Sequence, residues 1–175
     1  AVWCTVYELK HYMLYIMDVF EQASVVIEAF KVEMEGNPRL RNDFPKATGQ
    51  GPVWQAGVCV TNNNVKFHAR GAGQRVRGLK HGPYRPDLGF LDDIENDENV
   101  RTPEQRDKLE SWLDKGVENL GEAGEKFDIF YVGTVLHYDS VLVRKMKNAM
   151  WRAVKFQSII RWPDRMDLWD KWEEI

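Results

Sequence analysis

Three short apolar runs constrain the fold of this 175-residue chain more than any other feature. They lie at residues 12–17, 88–91 and 127–132. Asp18, Asp92 and Gly133 follow them directly, where a strand would turn into a loop. Short apolar runs without alternation are typical of strands that are buried on both faces of a parallel sheet. Because helical patterns separate the runs, the sequence predicts one α/β domain with a largely parallel sheet.

The intervening segments predict the remaining elements. Apolar side chains at helical spacing predict a helix at residues 21–35, and a cap residue followed by Pro and Glu predicts one from residue 102 to about residue 119. A further helix is expected at residues 140–148. Residues 57–61 and 65–69 flank a run of three asparagines and predict a β-hairpin. A further strand is expected at residues 153–160, and the Gly, Pro and Asn content of residues 36–52 favours a loop.

The charge of the chain changes sign between residues 66 and 98. The first half of this stretch contains six basic residues and no acidic one, namely Lys66, Arg70, Arg75, Arg77, Lys80 and Arg85. The second half contains six acidic residues and no basic one, namely Asp87, Asp92, Asp93, Glu95, Asp97 and Glu98. The net charge of the chain is only -3, so any polyanion site has to be local. The pattern predicts a polyanion and a divalent metal bound side by side.

Asp92 and Asp93 end the apolar run at residues 88–91. Mg²⁺ requires hard oxygen ligands and commonly takes one or two protein carboxylates beside phosphate oxygens. P-loop NTPases present a metal ligand in this way, and a second acid beside it can orient a water. We therefore expect Asp92 on the metal side and Asp93 on the water side. The alternative is that both acids only cap the next helix and stay solvated.

The basic segment contains four candidate contacts to phosphate or DNA, which are Arg75, Arg77, Lys80 and Arg85. Its glycines let the backbone approach a ligand, and each guanidinium offers several donors in one plane. The segment could contact DNA, or it could reach a nucleotide bound by a neighbouring subunit. The alternative is a solvated surface loop.

Other polar residues are less specific. Gly133 and Thr134 could couple a strand end to the state of the site through the hydroxyl, although such a pair is usually a turn. The four histidines have no His or Cys partner at ligand spacing, which favours surface or hydrogen-bonded roles. Cys4 and Cys59 are expected to be buried reduced thiols of a cytosolic protein. No apolar run approaches the ~18 residues that a membrane span requires.

Three segments taken together resemble the large subunit of phage and prophage terminases, the motors that package viral DNA. They read GAGQRVRGLKHG at residues 71–82, RPDLGFLDDIENDENVRTPEQR at residues 85–106 and YVGTVLHYDS at residues 131–140. The resemblance covers most of the chain and is densest at residues 71–140. It implies a partial RecA-like P-loop NTPase core at residues 1–160 and an amphipathic linker helix at residues 161–175, leading to a nuclease domain.

The same resemblance implies cofactors, partners and residue roles. The cofactors would be Mg²⁺ and ATP, and the partners double-stranded DNA, a terminase small subunit and a portal protein, in a homo-oligomeric assembly in the host cytoplasm. Asp92 matches the Mg²⁺ position of a Walker B strand, and Asp93 stands where the family has a catalytic acid, usually Glu. Because Asp is one methylene shorter, Glu95 is a rival for that role. Gly133 and Thr134 resemble the motif that couples hydrolysis to movement.

One departure from the family is serious, because no G-x-x-x-x-G-K-[ST] motif occurs and the phosphate-binding segment is therefore lacking. Residues 1–9 resemble the helix that follows this motif, so we expect truncation upstream, an unpaired sheet edge and little activity of this chain alone. Two alternatives remain open. One is a truncated prophage product that binds DNA or another protein. The other is a metal-dependent nuclease that uses Asp92, Asp93, Glu95 and Asp97.

Overall fold

The computed structural model describes residues 1–122, 124 and 126–173, and the chain divides into two units, Ala1–Arg144 and Lys145–Ile175. The first unit is an α/β fold around a mixed, mostly parallel sheet of six strands. The strands are β1 (Tyr12–Met17), β2 (Gln50–Gln55), β3 (Val58–Thr61), β4 (Lys66–Gly71), β5 (Leu88–Asp92) and β6 (Asp128–Val132). The prediction of an α/β domain with a largely parallel sheet is confirmed.

Helices precede, connect and follow these strands. They are α1 (Val2–Val6), α2 (Phe20–Gly36), α3 (Pro38–Asp43), α4 (Pro103–Trp112), a π-helix (Leu113–Val117), α5 (Val141–Lys147) and, in the second unit, α6 (Met166–Glu173). The start of α4 follows directly from its sequence. Thr102 accepts a hydrogen bond from the Gln105 backbone, the Gln105 side chain accepts one from the Thr102 backbone, and Pro103 occupies the first turn.

The strand order is β2-β3-β4-β1-β5-β6. β1 pairs in parallel with β4 on one side and with β5 on the other, and β5 pairs in parallel with β6. The pairings of β2 with β3 and of β3 with β4 are antiparallel. The carboxyl ends of four strands therefore lie at one edge of the sheet, while the two hairpins extend it on the side of β4.

The two faces of the sheet bury separate apolar clusters. On one face, Met13 and Phe67 pack with Ile27 and Phe30 of α2. On the other face, Leu14 and Leu91 pack with residues of α4 and the π-helix, including Leu109 and Leu113. Because β1 contributes side chains to both clusters, it is the central strand of the core, as its uninterrupted apolar sequence predicts.

Asp87 fixes the amino ends of β1 and β5 relative to each other. Its carboxylate accepts hydrogen bonds from the backbone N–H groups of His11 at 2.7 Å and Tyr12 at 3.0 Å. Lys10 donates to the Asp87 carbonyl at 2.8 Å and to the Asp128 carboxylate at 2.8 Å. Because Asp128 begins β6, these hydrogen bonds link the starts of β1, β5 and β6.

Some segments differ from the predictions. Residues 36–52, expected as a loop, contain α3 and the start of β2, because Asn37 caps α3 through two backbone N–H groups and Gln50 pairs with Thr61. The strand predicted at residues 153–160 is wrong, since these residues form no regular element and are exposed. Apolar residues alone do not make a strand, because its backbone groups need a partner strand.

Within the described residues β6 is the edge strand of the sheet on the side of β5. Phe130 and Val132 on this strand are 58% and 63% exposed. None of the helices in the described part of the chain combines the length and the apolar character needed to cross a membrane.

Gly51 provides a test of the hairpin packing. A Cβ at residue 51 would lie 2.1 Å from the carbonyl oxygen of Val60 on β3, so the two strands would have to separate. We expect Gly51→Ala to lower the free energy of unfolding by about 2 kcal/mol or more, measured by urea denaturation. Gly36→Ala is the matched control, because a Cβ there meets nothing within 4 Å. A Gly51 variant as stable as the Gly36 variant would contradict the strand pairing described here.

Candidate functional site

The carboxyl edge of the sheet brings together several residues that the sequence predicted for one site. Asp92 ends β5 and pairs in register with Val132, the last residue of β6. Gly133 and Thr134 follow at once and are exposed. Asp93 is exposed beside them, and its backbone N–H donates to the Val132 carbonyl at 3.1 Å. The proposed metal, catalytic and coupling residues are thus neighbours in space.

Asp92 is half-buried, and its Oδ2 accepts a hydrogen bond from the Tyr15 hydroxyl of β1. Burial, together with this hydrogen bond and the nearby carboxylates, raises the pKa of Tyr15, so the phenol remains a donor. Among the described residues Asp92 Oδ1 has no hydrogen-bond partner. This oxygen is the hard anionic donor that a divalent cation would use.

Asp93 has a left-handed backbone with φ of 43°, which turns the chain sharply after β5. Asp adopts this conformation at lower cost than most residues, because its short polar side chain can bond locally. Its Oδ1 lies 3.6 Å from the position that a Cβ on Gly133 would occupy. The carboxylate therefore lies against the predicted coupling residue, and it projects into solvent where a water could be held.

Glu95 is buried and hydrogen-bonded, unlike an acid that is free to activate a water. It is 8% exposed, and its carboxylate accepts hydrogen bonds from the backbone N–H groups of Val141 at 2.7 Å and Leu142 at 2.9 Å. The Tyr131 hydroxyl donates a third bond at 3.0 Å. The carboxylate thus satisfies the first N–H groups of α5, which have no intrahelical acceptor.

The segment between Thr134 and α5 is held by a second carboxylate, Asp139. Arg144 donates to both of its oxygens, at 2.9 Å and 2.7 Å, and Arg106 donates to it at 3.3 Å. The hydrogen bonds from Arg144 lower the pKa of Asp139 to about 2. Arg106 is buried and also donates to the Val100 carbonyl at 2.7 Å. The segment of residues 135–140 is therefore anchored to α4.

Asp18 is a residue at this edge that the sequence prediction did not include in the site. It follows β1 as Asp92 ends β5, and its Oδ2 accepts a hydrogen bond from the Asn96 side chain at 2.7 Å. Asn96 and Asn99 bond each other's backbone N–H groups at 2.9 Å and 2.7 Å, which fixes the loop after β5. Asp18 could have been predicted for the site, because it directly follows an apolar run in the sequence. No feature of the sequence marks Tyr15 in this way.

The acidic residues of this region do not converge on one point. Among the described residues no group of three or more His, Cys, Asp or Glu side chains could hold a metal ion. Mg²⁺ commonly uses one or two protein carboxylates and completes its shell with phosphate oxygens and water. The donors at this edge fit a metal that arrives with a phosphate ligand better than a metal held by protein alone.

The basic loop, residues 72–87, packs against α4 and the π-helix. Residues 72–87 connect β4 to β5 across the face that α4 covers, with Val76 buried there and the Trp112 indole donating to the Gln74 carbonyl at 2.8 Å. Arg77 donates to the Lys115 carbonyl in the π-helix at 3.0 Å. The four predicted contact residues, Arg75, Arg77, Lys80 and Arg85, are all exposed. The loop is anchored to the core while its charges remain in solvent.

A cavity of about 370 Å³ lies between this loop and the π-helix, and its lining includes Arg77, Arg85, Lys115 and Asn119. Among the described residues that line it, three are cationic and none is acidic. Arg85 precedes β5, so the cavity lies toward the amino end of that strand, whereas Asp92 lies at its carboxyl end. The structure therefore separates Arg77 and Arg85 from the acidic pair rather than placing them side by side.

Comparison with protein-family models, with curated proteins and with solved structures gives no match for this chain.

The capping role of Glu95 can be tested directly. Glu95→Ala leaves two buried backbone N–H groups and the Tyr131 hydroxyl without their acceptor, so we expect a loss of about 2–3 kcal/mol in the free energy of unfolding. Glu98→Ala removes an exposed carboxylate from the same loop and should change it by less than about 0.5 kcal/mol. Equal stabilities in a denaturant titration would show that Glu95 is free for another role.

Proposed function

We propose that this chain is the ATPase-core part of a viral DNA-packaging motor, in which hydrolysis of Mg²⁺-ATP drives double-stranded DNA into a capsid. The observation that carries the proposal is the meeting of Asp92, Asp93 and Gly133 at the carboxyl edge of the parallel strands. Ligands of open α/β sheets bind outside this edge. The resemblance of residues 71–140 to terminase large subunits supports the same assignment.

Each residue has a role in this proposal. Asp92 Oδ1 would contact Mg²⁺, and Tyr15 holds the other carboxylate oxygen in place. The ion, when bound with ATP, would neutralise charge on the phosphates. Asp93 would orient the attacking water and accept its proton. Glu95 is the weaker candidate for that task, because both of its oxygens already accept hydrogen bonds.

The wider assembly is part of the proposal. Residues 1–160 would form a RecA-like core whose phosphate-binding loop is supplied by sequence outside this chain, and residues 161–175 would lead to a nuclease domain. Gly133 and Thr134 would transmit the state of the nucleotide through the loop that Asp139 anchors. The partners would be double-stranded DNA, a small subunit, a portal protein and further copies of the same protein.

The decisive experiment measures ATP hydrolysis by the complete gene product, because the chain itself lacks the phosphate loop. We expect Asp93→Asn to lower kcat by about 100-fold or more, since it removes the base without changing shape. Asp97→Asn, which removes an exposed acid four residues away, is the control and should keep full activity.

Two results would contradict this proposal. One is a complete gene product without a Gly-Lys-Ser or Gly-Lys-Thr loop upstream of residue 1. The other is ATP hydrolysis that is unaffected by both Asp92→Asn and Asp93→Asn. Cleavage of DNA by the 175-residue chain with Mn²⁺, abolished by Asp92→Ala, would instead indicate the nuclease alternative.

A second candidate function, a DNA-binding module, is favoured by the cavity that Arg77, Arg85 and Lys115 line. Its cations have no ion-pair partner within 4.0 Å among the described residues, so they are available to backbone phosphates. Such a module would bind DNA without hydrolysing ATP.

The salt dependence of DNA binding tests whether the cavity contacts DNA phosphates. If Arg77 and Arg85 contact phosphates, the double variant Arg77→Gln/Arg85→Gln should reduce the slope of log K against log salt concentration by about 2, since each contact releases roughly one counterion. Fluorescence anisotropy with a short duplex measures this slope. Arg39→Gln/Lys46→Gln removes the same charge from exposed positions and should leave the slope unchanged. An unaltered slope in the cavity variant would assign these residues to another role.

A further inference from the structure

A separate group of cations lies on the face of the sheet beside β1. Lys66, His68 and Arg70 alternate along β4 with residues of the α2 side, so they occupy the opposite face. They are half-buried, and the Tyr12 ring of β1 lies next to them and is completely buried. Lys66 Nζ lies 4.8 Å from the centre of that ring. None of these residues lines the cavity near the π-helix, and only Arg70, the penultimate residue of β4, lies next to the carboxyl edge.

The hydrogen bonds fix the protonation of this group. Arg70 Nη1 contacts His68 Nε2, and because a guanidinium only donates, Nε2 has to be the acceptor. The single proton of the neutral imidazole is then on Nδ1, which donates to the Tyr12 oxygen at 2.8 Å. Burial raises the pKa of Tyr12 to about 12, so the phenol keeps its own hydrogen. Among the described residues that hydrogen has no acceptor.

The positive charges of this group are partly buried and repel one another. Burial, followed by repulsion from Arg70 and Lys66, lowers the pKa of His68 to about 3. Burial and the charge of Arg70 also lower the pKa of Lys66, and burial lowers that of Arg70. Within the described residues no carboxylate lies within 4.0 Å of either cation. Among the described residues, the group therefore presents two cations with no anion to balance them.

Three other buried or half-buried cations among the described residues are each paired with a carboxylate. Lys31 contacts Glu28 at 2.8 Å, Arg106 contacts Asp139 at 3.3 Å, and Lys10 contacts Asp128 at 2.8 Å. Burying a charge is costly unless it is paired and hydrogen-bonded. A ligand that supplies the missing negative charge would remove this cost at β4.

We propose that Lys66 and Arg70 form a binding site for a phosphate group, with His68, itself held by the buried Tyr12 hydroxyl, positioning Arg70. Phosphate oxygens accept several hydrogen bonds at once and match the planar donors of a guanidinium. A lysine ammonium adds a further charge and three donors. The site takes either inorganic phosphate or the backbone phosphate of DNA, and it does not depend on nucleotide hydrolysis at the carboxyl edge.

The test uses the 175-residue chain and inorganic phosphate as the probe. Nitrogen-detected NMR of the histidine rings should show the Nδ1–H form of His68 in the free protein. Phosphate should shift the His68 signals in a saturable way, because its ring nitrogens contact Arg70 and Tyr12 and sense a change in the Arg70 hydrogen bonds. His137, which lies in the loop after β6, is the internal control and should not move. This measurement needs no variant and so does not depend on the folding of one.

A double variant assigns the effect to the site. Lys66→Met/Arg70→Gln should weaken phosphate binding at least about tenfold, the effect of losing a charged hydrogen bond. Arg39→Gln/Lys46→Met removes the same charge from exposed positions and should bind as the unmodified chain does. Phosphate should also raise the Tm of the unmodified chain and of this control, but not that of the site variant.

A second arm with a short duplex DNA identifies the source of the phosphate. Saturable shifts of His68 with DNA but not with inorganic phosphate would assign the site to the nucleic-acid backbone, and shifts with inorganic phosphate alone would assign it to a small ligand. The proposal is overturned if neither probe moves the His68 signals, or if the site variant and the control variant bind equally. Phosphate binding at this site is independent of ATP hydrolysis, so loss of hydrolysis in an Asp93 variant would neither support nor overturn the proposal.

Discussion

The parallel pairing of β1 with β4 on one side and with β5 on the other is the constraint on which the rest of the structure depends. It places the carboxyl ends of the strands at one edge and their amino ends at the other. The Asp87 carboxylate maintains this alignment, because it bonds two N–H groups at the start of β1. A shift in register by one residue would reverse the faces of every side chain, and the acidic residues would no longer meet.

The charge inversion of the sequence becomes a spatial separation in the fold. The segment of residues 72–87 runs from the carboxyl end of β4 to the amino end of β5, so the basic residues near its end are carried away from Asp92. Arg77 and Arg85 line the cavity beside the π-helix, while Lys66 and Arg70 stay on the face of β4. One basic run in the sequence therefore supplies two candidate sites for phosphate, and neither adjoins the acidic pair in the way that the sequence predicted.

Hydrogen-bond partners decide what each carboxylate is free to do. Asp92 keeps one oxygen without a partner, Asp93 is exposed, and Glu95 is committed to the start of α5. All three come from one stretch of four residues, and no feature of the sequence distinguishes their roles. The sharp turn at Asp93, with φ of 43°, is what directs successive acids to different surroundings.

The sequence by itself determined the central strands, the hairpin and the main helices, because their apolar periodicity and caps are local properties of the chain. It also located Asp92, Asp93, Gly133 and Thr134, since a residue at the end of a parallel strand lies at the carboxyl edge in any α/β sheet. Only the tertiary structure decided that β2 pairs with β3, that residues 153–160 form no strand, and that Glu95 caps α5. It also created the Lys66, His68 and Arg70 group, whose burial depends on β1. These features depend on partners that are distant in sequence, and no local pattern specifies which partner is found.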